Sequence, residues 1–593
     1  MIERMRKVTL IVTGKERERF ISLLRKAGVL HVENIEAPSS HEISFVEERI
    51  SRIEHSLDLL SPYRQQEDDG TAAACGDREI LEQASRISEL VAEKAELEEK
   101  AAKVRRTMEW FAEWGEFDPE DLRVLSAKGA GIDLYKANSK IFADIDKEKA
   151  RIIKKEKGEV FFFTVGAGKD DIPLEPAEVP ARSPEDYRKE EQELLTAIKE
   201  TESRLREKAR GAGAMEKCRA RMEKELEFLK VKCGMGEEEK FAYLKGFFPA
   251  KKETGIKKLA EKNGAGYVIE DPSEEDEPPT LITNPGWIRI IDPVFKFMNT
   301  LPGYSEFDIS FVFLVFFSIF FAMLIGDAGY GLVFVLVTFL ARRKLPGASF
   351  EPFFLMYLLG GTTVVWGAIT GTWFGAERIA RLPVFRNVIV QDINSFASGN
   401  QDTIIYICFV LGAVHLTVAH LMKIARRINS PRALGDAGWV AIVWGMFFAA
   451  GKFVIGKPFP GFAGYLFVIG ILLVLFFENF QKNFFKGMAE TLSNLPLAVI
   501  GSFSDVVSYL RLFAVGYASV VLAQTFNTMA LGGGVNSVLG GLAAAVILFL
   551  GHTLNIVLGM MAVVVHGIRL NMLEFSGHLG MQWTGKKYEP FRE

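Results

Sequence analysis

The chain has few cysteines and no marked excess of charge of either sign. Its four cysteines among 593 residues (Cys75, Cys218, Cys233 and Cys408) are scattered without metal-ligand spacing. They are predicted to be free thiols in a reducing compartment. The net charge of −4 implies neither a strongly acidic nor a strongly basic partner, so we expect no nucleic acid to bind. No metal and no cofactor is predicted.

Signatures of catalysis and export are also missing. The chain contains no GxxxxGK[ST] phosphate-binding loop, and its charged half shows no paired catalytic carboxylates and no metal-ligand cluster. We therefore expect that it is not an enzyme by itself. The N-terminus, MIERMRKVTLIVTGKERERF, has neither a sustained apolar core nor a small-residue cleavage site, which predicts that it is not a signal peptide.

The sequence does have a sharp division of composition. Residues 1 to about 290 mix Lys, Arg, Glu and Asp closely, whereas Phe, Leu, Val, Ile and Gly dominate from Ile309 onward. This predicts a soluble half, residues 1–290, followed by an all-α membrane half, residues 291–593. The acidic tract at residues 270–279 is predicted to be a solvated linker.

Two strand–helix–strand patterns lie about 200 residues apart in the soluble half. Their first strands are predicted at Val8–Val12 and Phe241–Phe248. Because such units can pair with each other, they predict one α/β lobe built from residues 1–40 and 237–285.

Long helical segments lie between these two units. In the first segment, eight residues are spaced alternately three and four positions apart: Ile87, Leu90, Lys94, Leu97, Ala101, Val104, Met108 and Phe111. All of them except Lys94 are apolar. This pattern predicts a coiled-coil hairpin with arms at residues 42–115 and 184–233. A second α/β lobe, residues 117–182, would cap its far end, with a strand at Glu159–Val165. An arm of about 50 helical residues would reach roughly 75 Å. The alternative is a pair of ordinary helices in a compact domain.

The membrane half contains eight apolar runs, which predict about eight transmembrane helices. They lie near residues 309–325, 328–341, 352–374, 403–425, 435–455, 460–478, 497–531 and 536–577. The first two are joined by the glycine-rich turn Gly326–Gly331 and could also be one broken helix. The last two exceed the roughly 20 residues that a bilayer needs, which predicts that they are strongly tilted or protrude.

Eight spans would place both termini on one side of the membrane. The loops on that side carry twelve basic residues: Arg342, Arg343, Lys344, Lys423, Arg426, Arg427, Arg432, Lys482, Lys486, Lys586, Lys587 and Arg592. The opposite loops carry five: Arg378, Arg381, Arg386, Lys452 and Lys457. The positive-inside rule therefore predicts a plasma-membrane protein whose N-terminal half and C-terminus are cytoplasmic.

Arg511 lies inside an apolar run, and Arg569 follows in the last one. A guanidinium stays charged at physiological pH, and placing it at mid-membrane costs roughly 2.5–3.5 kcal/mol on insertion scales. The alternative is that each arginine snorkels to a headgroup or pairs internally, which suits Arg569 better than Arg511. Candidate ion-translocation residues are Arg511, Arg569, Glu574, His566, Asp505, Ser508, Tyr509 and Gln524.

Such polar groups could line water-filled half-channels that lead to mid-depth from each side of the membrane. For Glu574 and His566, a structural and a transport role both stay open. His415 and His420 are better interpreted as histidines bonded to neighbouring helices.

The segment Ser508–Gly516, SYLRLFAVG, resembles the penultimate span of the large membrane subunit (subunit a, or subunit I) of V-type and archaeal A-type rotary ATPases. The resemblance extends over the whole chain through further motifs at Tyr243–Pro249, Pro278–Asn284, Gly326–Gly331, His566–Leu570 and Tyr588–Phe591. Eukaryotic members carry a histidine and a glutamate where this chain has Ser519 and Gly559. The chain is closer to the shorter prokaryotic form, and Asp505, Gln524 or water would line the half-channel instead.

The resemblance implies a stator subunit that lies against a ring of small membrane subunits, each with an ion-binding carboxylate. Arg511 would hold that carboxylate deprotonated and separate two half-channels, so no partner for Arg511 is expected in this chain. Peripheral stalks and subunits on the central-stalk side are further implied partners. Whether the ion is H⁺ or Na⁺ stays open.

Two alternatives come from other classes of protein. One is a stand-alone secondary ion transporter with a cytoplasmic coiled-coil regulatory domain, which predicts internal repeats that the sequence does not show. The other is a coiled-coil tether with a merely anchoring membrane half, against which Arg511 argues. If the last two spans met at Gly532–Gly534, ideal helices would offset Arg511 from Arg569 by roughly 15–20 Å along the axis.

Overall fold

The structure is a computed structural model that describes the whole chain except residues 65–75, 144, 146–149, 157, 166–171, 173, 239, 274, 398, 481–483, 533, 535 and 536. Its strands are β1 Met5–Thr13, β2 His31–Glu33, β3 Ile132–Asn138, β4 Ala150–Glu156, β5 Glu159–Val165, β6 Gly236–Glu238, β7 Phe241–Pro249 and β8 Gly266–Glu270. The helices among them are α1 Arg17–Ala27, α2 His41–Leu60, α3 Asp77–Trp114, α4 Pro119–Ala127, α5 Ser139–Ala143, α6 Pro184–Ala209, α7 Ala212–Cys233 and α8 Glu253–Lys262.

The two predicted strand–helix–strand units share one sheet. β7 lies between β1 and β2, β1 lies between β7 and β8, and all of these pairs are antiparallel. Each unit therefore inserts a strand between the strands of the other. Alternate residues of a strand point to the same face of the sheet, and Val8 of β1 and Phe248 of β7 lie on the face that is buried. Phe20 of α1 belongs to the same apolar core.

A second, smaller sheet has the strand order β3–β5–β4. The prediction of a strand at Glu159–Val165 is confirmed. Neighbouring phenylalanines of β5 point to opposite faces, so Phe162 packs with Tyr135 and Phe142, whereas Phe161 packs with Trp114 at the end of α3.

In the part of the arms that the structure describes, four helices lie between the two sheets. Ser40 and Ser183 cap the N-termini of α2 and α6 by accepting backbone hydrogen bonds, as short polar residues at this position typically do. α3 packs on α6, and α2 packs on both α7 and α3. All eight residues of the stripe predicted in α3 are buried or half-buried. The coiled-coil geometry itself stays a prediction, and residues 65–75 of the first predicted arm lie outside the described residues.

Lys94 is the polar member of that stripe. Its Nζ lies 2.8 Å from a carboxylate oxygen of Glu202 on α6 and donates to the Tyr63 hydroxyl at 3.1 Å. The hydrogen bond to Glu202 raises the pKa of Lys94 above its usual value. The apolar stripe of α3 thus tolerates a lysine because a carboxylate on the facing helix, α6, pairs with it.

The C-terminal half is all-helical in the described residues. Its helices are α9 Gly286–Arg289, α10 Asp292–Met298, α11 Ser310–Ile325, α12 Ala328–Lys344, α13 Phe350–Thr370, α14 Glu377–Ala380, α15 Pro383–Arg386, α16 Gln401–Arg426, α17 Arg432–Ile455, α18 Gly461–Phe477, α19 Phe484–Ser508, α20 Leu510–Leu531, α21 Val538–Ala562 and α22 Ser576–Leu579. Two π-helical segments, Val563–Gly567 and Leu570–Phe575, connect α21 to α22.

The count of eight spans is not confirmed. Five helical stretches of the described chain are long and apolar enough to cross a membrane, and α11 with α12 make a sixth if that bent pair is one span. The axes of this pair differ by 118° at Gly326. The apolar helix α18 has 17 residues, fewer than the roughly 20 that a bilayer requires.

The penultimate span begins earlier than predicted. A nearly continuous helix runs over Phe484–Leu531, 48 residues, instead of starting at residue 497. The expectation failed because it followed the apolar run alone, whereas the helix continues through the mixed polar and apolar residues 484–496, with Pro496 inside α19. Lys486, expected in a loop, therefore lies in the first turn of that helix.

The two ends of the chain meet on one face of the helical half. Lys587 forms a bridge with Thr280, and the Phe591 amide donates to the carbonyl of Leu30. The Tyr588 hydroxyl donates to the carbonyl of Val29 at 2.6 Å, and burial raises the pKa of Tyr588 to about 12. The first α/β lobe is therefore joined to the tail that follows the last helix.

Candidate functional site

Arg511 lies in the first turn of α20, just after the helix is interrupted at Tyr509. Its side chain is only 24% exposed. The guanidinium Nε donates to the carbonyl of Ser508 at 2.9 Å, and one terminal nitrogen donates to Glu574 at 2.5 Å. The interruption leaves the Ser508 carbonyl available to a side chain, and this contact orients the guanidinium.

Glu574 is the centre of the charged cluster. Its side chain is 5% exposed, and its Oε1 lies 2.5 Å from Arg511 and 3.6 Å from the Nε of Arg569. The Ser508 hydroxyl lies within hydrogen-bond distance of the same oxygen, at 3.2 Å. The other oxygen, Oε2, has no hydrogen-bond partner among the described residues. The expectation that Arg511 has no partner within the chain is therefore wrong.

The predicted axial offset between the two arginines does not keep them apart. Both approach Glu574, which lies in the π-helical segment Leu570–Phe575. A π-helix bonds residue i to i+5, so each turn takes up more residues than an α-helical turn does. Two such segments follow α21, but much of the shift in register lies before them, since Ser519 already bonds to Asn555, which is further from the turn than Ser519 is.

A second row of polar groups leads away from Asp505, which lies one to two turns before Arg511. The Nε2 of His578 lies 3.0 Å from a carboxylate oxygen of Asp505, and its Nδ1 lies 2.9 Å from the Nε2 of His420. The Nδ1 of His420 is 3.9 Å from Asp436, which also lies 2.9 Å from Lys423. The prediction that His420 is bonded to a neighbouring helix is confirmed.

The other predicted site residues lie around this cluster. Tyr509 is fully buried, and its hydroxyl bonds to His415 at 2.8 Å, which confirms that His415 is also bonded to a neighbouring helix. His566 lies one turn before Arg569 and is half-buried. Gln524 lies roughly 20 Å further along the helix axis than Arg511, at 1.5 Å per residue, so the structure does not bring it to the cluster.

A buried polar cluster that the sequence analysis did not assign lies beyond Arg511 on the other side. Ser519 bonds to the side chain of Asn555 at 3.2 Å, and Asn555 donates to the Tyr330 hydroxyl at 2.9 Å. Tyr330 bonds in turn to His552 at 2.8 Å, and His552 contacts Asn527 at 3.2 Å. The signal that could have identified it is the presence of Asn555 and His552 within an apolar span.

The two positions at which the chain departs from the eukaryotic pattern lie close together. The Ser519 hydroxyl lies 3.5 Å from the carbonyl of Ile325 at the end of α11. A Cβ on Gly559 would lie 3.0 Å from the side chain of the same residue. The end of α11 thus occupies space that larger polar side chains would need.

A cavity of about 920 Å³ opens on the face where the chain ends meet. Its lining includes Glu306, Arg426, Arg427, Leu579, Gly580 and Lys586. Within the described residues, no group of three or more His, Cys, Asp or Glu side chains could hold a metal ion.

The chain has several long apolar helices, and charged side chains lie between the last of them. These features indicate a multi-pass membrane protein. A scan against protein-family models finds no match. The chain is 31% identical to V-type ATP synthase subunit I 1 of Treponema pallidum and 30% identical to V-type ATP synthase subunit I of Borreliella burgdorferi, and both alignments cover 100% of each chain. A-type ATP synthase subunit I of Methanocaldococcus jannaschii is 26% identical over 60% of this chain and 56% of its own.

The chain therefore belongs to the subunit I family of V-type and A-type ATP synthases, which confirms the resemblance noted in its motifs. Among solved structures, it resembles the crystal structure of the cytoplasmic N-terminal domain of a subunit I, a homolog of subunit a of V-ATPase. That comparison has 17% identity and a TM-score of 0.22, and it covers 44% of this chain and 99% of the other.

Proposed function

We propose that this chain is the stator membrane subunit of a rotary ATPase and supplies the ion half-channels beside the rotating ring. The observation that carries the proposal is the Arg511–Glu574 contact, made by a partly exposed arginine in the middle of a 48-residue helix. An arriving ring carboxylate would meet the charge of Arg511, which favours its deprotonated form.

Two polar clusters support separate half-channels. Asp505 lies before Arg511 in α19, with His578 and His420 beyond it. The Ser519–Asn555 cluster lies after Arg511 in α20. At 1.5 Å per residue, each cluster begins roughly 10 Å from Arg511 along the helix axis, in opposite directions. An ion could therefore approach the arginine from either side without crossing lipid.

The outer side of α21 supports contact with the ring. Phe549, Leu550 and Val557 are all exposed on this helix. Arg569, whose side chain is 54% exposed, follows on the same chain segment. A surface that is apolar along its length and basic at one end fits apolar helices that carry a carboxylate.

Orientation and stalk attachment belong to the same proposal. The face on which the chain ends meet carries Arg426, Arg427 and Lys586, so the positive-inside rule favours the cytoplasmic side of a plasma membrane for it. The first lobe joins that face, and the arms extend away from this lobe. Exposed Ile152 and Ile153 on β4 of the second sheet give a peripheral stalk an apolar edge to bind.

The proposal is tested by replacing Arg511 with Ala in the assembled complex and measuring ATP-driven ion pumping into vesicles. We expect pumping to be lost while assembly is retained. Arg511→Lys should also pump poorly, since a buried lysine loses its proton more readily and lacks the planar fork of arginine. Arg386→Ala, at an exposed position outside the cluster, is the control and should pump normally. Coupled pumping by Arg511→Ala would contradict the proposed role.

A further inference from the structure

We propose that Asp436, His420, His578 and Asp505 form a relay that carries protons, and not Na⁺, between the cavity at the joined chain ends and the Arg511 site. This inference rests on the proposed function and names the ion that this half of the route conducts. It is carried by three consecutive contacts between four titratable side chains from different parts of the helical half.

The four groups are drawn from four segments that pack together. Asp505 is in α19, His420 in α16, Asp436 in α17 and His578 in α22. Their side chains are 35%, 3%, 4% and 11% exposed, in that order. The row is therefore buried from Asp436 through His420 to His578, and it is accessible mainly at Asp505, the end nearest Arg511.

The hydrogen bonds determine where the ring protons lie. A carboxylate can only accept, so the Nε2 of His578 carries the hydrogen that faces Asp505. The Nδ1 of neutral His578 is then an acceptor, and the Nε2 of His420 must donate to it. The Nδ1 of His420 is consequently unprotonated and faces Asp436. Both rings therefore donate toward Asp505 and accept from the side of Asp436.

This order permits a proton to move without any ring leaving its place. Asp436 is a carboxylate paired with Lys423, so it must first take up a proton from solvent. Breaking that O–H bond then forms a new N–H bond at the Nδ1 of His420. His420 releases its Nε2 proton to the Nδ1 of His578, and His578 releases its own Nε2 proton to Asp505. One proton enters, one arrives at the far carboxylate, and both rings finish in the other tautomer. The reverse sequence carries the proton back and restores them, so a second proton can follow in the same direction only after both rings rotate about their Cβ–Cγ bonds and regain the first tautomer.

Asp436 does not itself line the cavity, but the basic residue Arg427 beside it does. Arg427, which lines the cavity, lies 3.7 Å from one oxygen of Asp436, and Lys423 lies 2.9 Å from the other. Leu579 and Gly580, directly after His578, also line it. The 3.9 Å between Asp436 and His420 exceeds a hydrogen bond, so transfer needs a closure of roughly 1 Å. This gap is the step that would control the rate.

The same geometry excludes Na⁺ from this row. A hard cation prefers oxygen ligands, but the centre of the row consists of imidazole nitrogens. The rings lie 2.9 Å apart, so an ion could pass only by displacing both of them. A proton requires no such displacement, because it moves by exchanging bonds.

The test uses the assembled complex in vesicles, with His420→Ala and His578→Ala. Each substitution should lower ATP-driven acidification roughly tenfold or more, within the range that positioned proton-transfer groups contribute. Added imidazole should restore part of the rate, because it can occupy the vacated space and pass protons. His415→Ala is the matched control, since His415 is equally buried in α16 but bonds to Tyr509 outside the row. Imidazole should not raise its rate.

The ion is tested in the same vesicles. The unsubstituted complex should acidify the lumen at full rate without Na⁺ and should take up no labelled Na⁺. Uptake of Na⁺ driven by ATP, or histidine variants that keep more than half of the pumping rate, would overturn the relay. If either of these results is found but Arg511→Ala still abolishes transport, the relay is wrong and the proposed function stands. If Arg511→Ala still pumps, the proposed function itself fails.

Discussion

At the scale of single residues, Glu574 balances only part of the positive charge around it. Arg511 and Arg569 both lie within 4 Å of its Oε1, so two guanidiniums share one carboxylate. Removing charges from water is costly unless they are paired, which explains why Glu574 is held at 5% exposure against Arg511. The remaining positive charge attracts a second carboxylate, which we assign to the ring.

We predict that Glu574→Gln destabilises the helical half. The substitution leaves two guanidiniums without their anion, and we expect a loss of about 2–3 kcal/mol, below the 3–5 kcal/mol typical of fully buried pairs because Arg511 is partly exposed. Thermal unfolding of the purified complex measures it. Glu377→Gln removes an exposed pair with Arg381 and should cost about 0–1 kcal/mol. Equal losses in both variants would contradict this account of Glu574.

At the scale of helices, close packing of α20 against α11 fixes the position of Arg511. A Cβ on Gly516 would lie only 2.2 Å from the carbonyl oxygen of Met323, so the two backbones touch there. Gly326, which ends α11 with a φ of 71°, also faces Gly516. The glycines allow the helix with the arginine to approach the buried helix of the bundle.

We predict that Gly516→Ala lowers the melting temperature and the pumping rate together. The added methyl group collides with backbone, an overpacking that costs about 1–3 kcal/mol, and it displaces α20 from α11. Gly501→Ala is the matched control, since a Cβ there meets nothing within 4 Å and alanine favours a helix by about 1 kcal/mol. A Gly516→Ala complex as stable as the Gly501→Ala complex would show that this contact does not matter.

Local patterns could be predicted from the sequence at this scale. The apolar stripe of α3 and the strand Glu159–Val165 depend on near neighbours in the chain, and both were expected. The start of the penultimate helix was missed, because that helix extends beyond the apolar run into the mixed polar and apolar residues 484–496. The contact of Arg511 with Glu574 was missed for a different reason, since it depends on π-helical turns and on packing that no local pattern reveals.

At the scale of the whole molecule, the last residues of the chain connect the helical half to the first lobe. Tyr588 and Phe591 bond to the turn before β2, and Lys586 pairs with Glu277 in the linker. The closing motif Tyr588–Phe591 is recognisable in the sequence by its resemblance to the family, but the residues that it contacts are not predictable from it. Such contacts join residues more than 300 positions apart, and sequence spacing carries no information about them.

We predict that Tyr588→Phe weakens the attachment of this tail. The Val29 carbonyl loses its hydrogen bond, which is worth about 0.5–1.5 kcal/mol, so limited proteolysis of the tail at neutral pH should become several-fold faster. The raised pKa of Tyr588 adds a pH dependence. Its stabilising effect is complete below the unfolded pKa of about 10 and is lost as the pH rises toward 12.

The unsubstituted tail should therefore become more sensitive to protease as the pH rises above about 10 toward 12, whereas Tyr588→Phe should lack this tyrosine-dependent step. If both proteins release the tail with the same pH dependence, the hydroxyl of Tyr588 does not hold it in place.

The central claim is that Arg511 separates two half-channels, and passive ion flux tests it most directly. Vesicles that contain the assembled complex are given an ion gradient without ATP, and the leak through the complex is measured. The unsubstituted complex should leak little, because Arg511 stops the ring from carrying ions past it. Arg511→Ala should leak faster under the same gradient and fail to pump when ATP is added. An unchanged leak together with normal pumping would contradict the account.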